Sequence, residues 1–176
     1  MTHSSDENEI LVRLFRHNVW ANEQMVSACR GLTDEQLATE VTGTFGRVAR
    51  TLTHLARAEG GYLRTLSGWE VGAELRVEYD PFAGVDRVAA HLQATGERLI
   101  DVAREESAGR TISGDYDGEP YVLPSWVMLL QAAYHATEHR QQIATSLTHL
   151  GVAPPEPDVW TYWDSIRGGE VPRSPE

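Results

Sequence analysis

Residues 125–150 form a 26-residue stretch without a proline, long enough for about seven turns of α-helix. On such a helix Met128, Gln131, His135, His139, Gln142 and Ser146 share a narrow arc, because residues three and four apart lie on one face. The arc is mostly polar. It is either a solvated face or the lining of a site, and the choice depends on what other helices bring to it.

Three further segments carry the same period. Over residues 9–29, Ile10, Leu11, Leu14, Phe15, Val19, Met25, Val26 and Cys29 recur at helical spacing, with Asn18 and Asn22 on the same stripe. His17 and Trp20 lie off it, beside Arg13, Arg16 and Gln24, so Trp20 marks either a contact surface or a singly exposed aromatic. Gly31 stops this helix, and Thr33 to Gln36 reads as a capping box under Leu32 and Leu37. A second long helix spans residues 45–66, with Phe45, Val48, Leu52, Leu55, Tyr62, Leu63 and Leu66 as its apolar set and His54 at the margin, among Thr51, Ala58, Gly61 and Thr65. Residues 67–79 read as an irregular connection. Asp80 and Pro81 supply a cap and a first helical position for a third helix. Its apolar side carries Val85, Val88, Ala89, Leu92, Leu99, Val102 and Ala103, and His91 faces away. Residues 107–124 turn to Gly, Asp, Thr and aromatics, a long loop with room for a short hairpin at Asp117 and Gly118.

Gly151 ends the fourth long helix, and Pro154, Pro155 and Pro157 force an extended exit. Trp160, Tyr162 and Trp163 are then expected to fold back on the helices. Four long amphipathic helices without a convincing set of strands predict an all-α fold, a four-helix bundle with long connections after helices two and three. One domain is expected over residues 1–176, with 1–8 and 168–176 flexible.

A net charge of -11 and a pI near 5.0 would repel nucleic acid, and no run of Lys or Arg offsets that charge. The single cysteine, Cys29, excludes an internal disulfide and a thiolate-rich metal cluster and suits a reducing compartment. The polar, acidic beginning has no signal-peptide pattern, and no apolar run is long enough to span a membrane. A cytoplasmic location without membrane contact is the expectation.

Neutral imidazole is a common ligand for zinc and other borderline metals, and an i, i+4 pair presents two nitrogens to one ion. Alone, the pair His135 and His139 is a weak signal. A zinc protease would need glutamate directly after the first histidine, where Ala136 stands. Of the other five histidines, His149 is ten residues beyond His139, about 15 Å along the axis. His3 lies in the N-terminal segment, and His17 and His91 point off their apolar stripes. His54 remains, and periodicity alone leaves it facing either inward or outward.

These segments together resemble a known family. Leu14 to Asn22, with Asn18, Trp20, Ala21 and Asn22, is similar to the Tyr-Asn-x-x-Trp-Ala-Asn opening of the DinB/YfiT family of four-helix-bundle metalloenzymes, with spacing one residue tighter and His17 where that family often has tyrosine. Thr44 to Gly46 followed by Leu52 to Glu59 is similar to its second-helix histidine segment. His135 to Ile143 resembles its His-x-x-x-His-Arg-x-Gln-Ile signature, and Gly151 to Trp160 its exit. The resemblance implies a divalent metal, zinc or nickel, held by His54, His135 and His139 with open positions, and a homodimer.

Three nitrogen ligands with open positions suit catalysis, since structural zinc sites are usually closed by four protein ligands. The resemblance further implies a small-molecule substrate and thiol chemistry, a transferase or isomerase in which a low-molecular-weight thiol is the nucleophile. The alternatives are a hydrolase using metal-bound hydroxide and a non-catalytic metal- or ligand-binding protein. Gln142 and Glu138 are the candidate catalytic residues, with Glu59 and Asp115 further candidates for a hydrolase acid or base. Arg140 reads as an ordinary helix-surface residue, and Trp160 and Trp163 as packing for the C-terminal segment.

Overall fold

The structure, a computed structural model, describes residues 4–107 and 109–168. It is mostly helical: α1 (Ser4–Cys29), α2 (Asp34–Leu37), α3 (Val48–Ser67), α4 (Val85–Arg104), β1 (Thr111–Tyr116), β2 (Glu119–Pro124), α5 (Ser125–His149) and α6 (Val159–Ile166). The all-α expectation is met in its broad form, with one two-stranded sheet added. Helix α1 already begins at Ser4, inside a segment expected to be flexible, and the Asn8 amide donates to the carbonyls of Arg104 and Glu106 at 2.9 and 2.7 Å. Residues 1–3 and 169–176 lie outside the described residues.

Helix α1 packs against α4 and α5, and α3 packs against the same two. Two apolar clusters fill the interior. One joins Met25, Val26 and Cys29 of α1 to Val48, Leu52 and Leu55 of α3, Val88 and Leu92 of α4, and Ile143 and Leu147 of α5. The other joins Val12 and Phe15, Leu63 and Leu66, Leu99 and Val102, and Leu129 and Ala132 of the same four helices. The order of these residues means that α1 and α5 run one way and α3 and α4 the other. Between the clusters lies a polar layer of Asn18, Asn22, Glu59, Thr95 and Arg140, all buried.

Because α3 and α4 are parallel, residues 68–84 must return along the length of α3 before α4 can start. They do so through a single 3-10 turn, Ala73–Leu75, and bury Val77 in the first apolar cluster. This path corrects two expectations. Helix α4 starts at Val85, not at Pro81, since Gly84 at φ 92 is outside helical conformation. His91 faces inward: the return segment covers that flank of α4, and the imidazole Nδ1 lies 3.1 Å from the Leu75 carbonyl oxygen. A Cβ on Gly60 of α3 would stand 3.1 Å from its Nε2, so glycine permits the close approach.

The hairpin expected at Asp117 and Gly118 is present. Both residues have positive φ, 53° and 87°, as a tight two-residue turn requires, and the Asp115 carboxylate accepts from the Gly118 N–H at 2.7 Å. The capping box at Thr33 also forms. Trp20, expected to face outward, is half-buried by the chain's own C-terminal segment. Its ring lies 5.3 Å from that of Tyr162, while His17 Nε2 lies 3.0 Å from the Pro157 carbonyl oxygen. Of the three C-terminal aromatics only Tyr162 folds back. Trp160 and Trp163 stay exposed because α6 is a short amphipathic turn with one face on α1.

Candidate metal centre

Helices α3 and α5 are antiparallel neighbours, and their seam brings His54 opposite His135 and His139. The Nε2 atom of His135 lies 3.2 Å from that of His54 and 3.1 Å from that of His139. One turn of α5 supplies the second pair, as the i, i+4 spacing requires.

The donor set fits a divalent ion. Gln142, one turn beyond His139, uses its side-chain oxygen to accept the backbone N–H of Phe45 at 3.2 Å, and the same oxygen lies 3.0 Å from His139 Nδ1. An oxygen so placed requires Nδ1 of His139 to carry the proton, which leaves the Nε2 lone pair aimed at the other two rings. His54 Nδ1 meets the Tyr79 hydroxyl at 2.9 Å and can donate to it in the same way. The Nε2 lone pairs of His54 and His139 can then both face His135 Nε2, so that one cation can be shared by all three rings once His135 also presents its Nε2 lone pair. Nitrogens bound to one zinc ion at ~2.0–2.1 Å stand about 3.0–3.4 Å apart, and both short separations here fall in that range.

Electrostatics favour the neutral, ligating form. Burial holds all three imidazoles below the ordinary histidine value, His135 at about 4, and for His54 and His135 the neighbouring histidines push the same way. Around them stand aromatic rings. Phe45 stacks on His54 with centroids 4.1 Å apart and meets His139 edge-on at 5.2 Å, and Tyr62 meets His135 edge-on at 5.5 Å. The Arg50 guanidinium sits over both Phe45 and Tyr79. A cleft of about 760 Å³ opens beside this wall, lined in part by Leu37, Phe45, Arg50, Tyr79 and Phe82.

Tyr79, Phe45 and Tyr62 were not singled out as site residues from the sequence. Tyr79 lies 25 positions from His54 in an irregular segment, and its placement depends on tertiary contacts. Arg57 of α3 donates to the Val77 carbonyl at 3.0 Å and pairs with the Glu78 carboxylate, pinning the residues that precede it. Phe45 reads as a core residue from its period. Only the glycines that flank its loop, Gly43 and Gly46, both with positive φ, hint at a shaped turn.

The other candidates separate. Gln142 touches the centre through His139. Glu138 is exposed, and its charge does no more than raise the His139 pKa slightly against burial. Asp115 belongs to the hairpin turn. Glu59 is buried at 2% exposure but turned into the polar layer, where it accepts from Asn18, Asn22 and Thr95. Arg140, read from the sequence as a surface residue, is 3% exposed and donates to Asn18, Asn22 and Thr137. The reason is angular: one residue past His139 turns about 100° around the helix, from the α3 seam into the interior.

Among known proteins, the family description "DinB family" matches residues 1–169. The chain is 21% identical over 162 residues to the protein named Protein DinB of Bacillus subtilis (strain 168), an alignment covering 88% of this chain and 94% of that protein. No helix among the described residues is long and apolar enough to cross a membrane.

Proposed function

The chain belongs to the DinB family, and from that premise we propose that it is a four-helix-bundle metalloenzyme holding one divalent ion, zinc or nickel, on His54, His135 and His139. The observation that carries this reading is the convergence of three Nε2 atoms whose opposite ring nitrogens are occupied by Gln142 and Tyr79 in two of the three rings. Three neutral nitrogens leave open positions, the mark of a catalytic and not a structural site.

An ion held there supplies a Lewis acid that lowers the pKa of a thiol or a water and so keeps a nucleophile ready near neutral pH. We assign the reaction to thiol chemistry, a transferase or isomerase in which a low-molecular-weight thiolate attacks an electrophilic small molecule. The protein's own thiol is excluded as that nucleophile: Cys29 is buried in the first apolar cluster, and burial pushes it up to about 12. Gln142 fixes the His139 tautomer, Tyr79 holds the orientation of the His54 ring and can accept its Nδ1 proton, and Phe45 and Tyr62 keep water from the ring faces. Arg50 offers a cation at the rim of the cleft. A hydrolase is the second reading, favoured by the same open centre. It has a weak point, since no carboxylate among the described residues touches the three histidines. We also place the protein in the cytoplasm, on its single cysteine, and as a homodimer, on the family resemblance. Trp20, half-buried by the C-terminal segment, adds nothing to the dimer, and sedimentation equilibrium giving a monomer would remove it.

Elemental analysis of protein purified without a metal-affinity tag tests the centre. One divalent ion per chain is expected, lost in each of His54→Ala, His135→Ala and His139→Ala, and full retention in any of them breaks the triad. Incubation of the metal-loaded protein with low-molecular-weight thiols and a panel of electrophiles tests the chemistry. Ester or amide hydrolysis without thiol consumption would replace the thiol reading with the hydrolase.

A further inference from the structure

The polar layer between the two apolar clusters has an unusual construction. Glu59 and Arg140 do not touch. Asn18 and Asn22 stand between them, each donating its amide to Glu59 Oε2 at 3.0 and 3.1 Å and accepting from Arg140 Nη1 at 2.7 Å through its side-chain oxygen. Thr95 closes the other carboxylate oxygen at 2.7 Å, and Thr137 takes the second guanidinium nitrogen at 2.8 Å. Every one of the four long helices contributes: α1 both asparagines, α3 the carboxylate, α4 Thr95, and α5 the guanidinium and Thr137. The charges are relayed through two amides, so each asparagine has its orientation dictated from both ends.

The layer adjoins the three histidines. Along α3, Glu59 comes five residues after His54, about 7.5 Å along the axis; along α5, His139 and Arg140 are adjacent residues. Apolar layers hold helices together without fixing their offset, since burial is non-directional. Hydrogen bonds are directional and fail with shifts well under an ångström. The histidine centre has the same narrow tolerance, because its nitrogens come from two helices and must meet near 3.1–3.2 Å.

We propose that the Glu59–Asn18/Asn22–Arg140 relay is the register device of the metal centre, and that Arg140 and the two asparagines are positioning residues that set α5 against α3 so that His54 meets His135 and His139. This rests on the reading of the three histidines as metal ligands. A single polar residue fixing register in a helical assembly is the best-attested use of buried polar groups. Here four residues act as one unit, and their removal is expected to loosen the centre in a folded protein.

Cobalt(II) is the probe, because its visible absorption reports coordination geometry independently of turnover. Asn22→Ala severs one of the two relays and leaves the charges joined through Asn18. Arg140→Lys keeps the charge but replaces the planar guanidinium, with one nitrogen on both asparagines and the other on Thr137, by a single ammonium that cannot span both positions. Both variants are expected to retain the helical circular dichroism of the wild type, to bind cobalt roughly tenfold or more weakly, as loss of a supporting partner does, and to show an altered cobalt spectrum. Thr145→Ala, an exposed change on α5, is expected to leave affinity and spectrum unchanged. Folded variants with wild-type affinity and spectrum overturn the register role while leaving the centre intact. Failure of both variants to fold makes the layer a folding requirement alone and overturns it too. Wild-type protein that binds no cobalt, or binds it equally after His135→Ala, removes the metal reading itself and the register role with it.

Discussion

Gln142 is the residue on which the chemistry of His139 turns. Its side-chain oxygen is committed by the Phe45 N–H, so it can only accept from the imidazole, and that dictates which ring nitrogen is free to bind. Gln142→Ala is expected to weaken zinc about 10–100-fold with little loss of fold, checked by competition against a chromophoric chelator. Gln142→Glu would keep the acceptor and is expected to bind zinc more nearly like the wild type. Cys29 makes a second sharp case. A thiol pushed up to about 12 by burial is almost wholly protonated at pH 8. A thiol-reactive disulfide reagent is therefore expected to leave the native protein unmodified at that pH and to titrate one thiol after denaturation.

The helices themselves were plain in the sequence, because a 3.6-residue period held over some twenty residues is hard to mistake. Stops and caps with local chemistry were equally legible: Thr33, Gly151 and the Asp117–Gly118 turn all act through backbone conformations or bonds made within a few residues. Less legible was what lay on each flank. His91 and Trp20 fall off their apolar stripes, yet one is covered by residues 68–84 and the other by the segment around Pro157 and Tyr162. The α1–α4 contact gives a test of how tightly elements pack. A Cβ on Gly96 would stand 2.5 Å from a methyl of Val19, a residue stiff about χ1 in a helix. Overpacking of about 1–3 kcal/mol exceeds the ~1 kcal/mol that alanine gains in helix propensity. Gly96→Ala is therefore expected to lower the melting temperature of the metal-free protein.

For the molecule taken together, the histidine centre links stability to protons and metal. His54, His135 and His139 each bind a proton more weakly in the fold than at the ordinary value of 6.5, and His135 does so with a pKa of about 4. Below pH 6.5 the unfolded chain therefore takes up protons that the native chain does not. The metal-free protein is expected to be fully stabilised in this respect above pH 6.5 and to lose stability as the pH falls toward 4. Chemical denaturation at several pH values checks it, and a flat profile between pH 6.5 and 4 would contradict the shifts. At neutral pH zinc adds a separate stabilisation, since an ion at a hundred times its dissociation constant stabilises by about 2.7 kcal/mol. Chelator-treated and zinc-loaded samples at pH 7 should melt apart, and His135→Ala should remove the gap.

Residue types and spacing were enough to mark four long helices, the acidic surface charge, the capping and turn chemistry, and His135 with His139 as a pair able to share an ion. All of these depend on interactions within a few positions, where period and composition speak directly. The partner of that pair is different in kind. His54 sat at the margin of its stripe, and only the antiparallel seam of α3 with α5 turned it inward. Tyr79 reaches the centre because parallel α3 and α4 force a long return along α3, and Arg140 is buried because its neighbour His139 faces the seam. Such contacts join residues many positions apart through the mutual offset of whole helices, a quantity with no local signature in the chain.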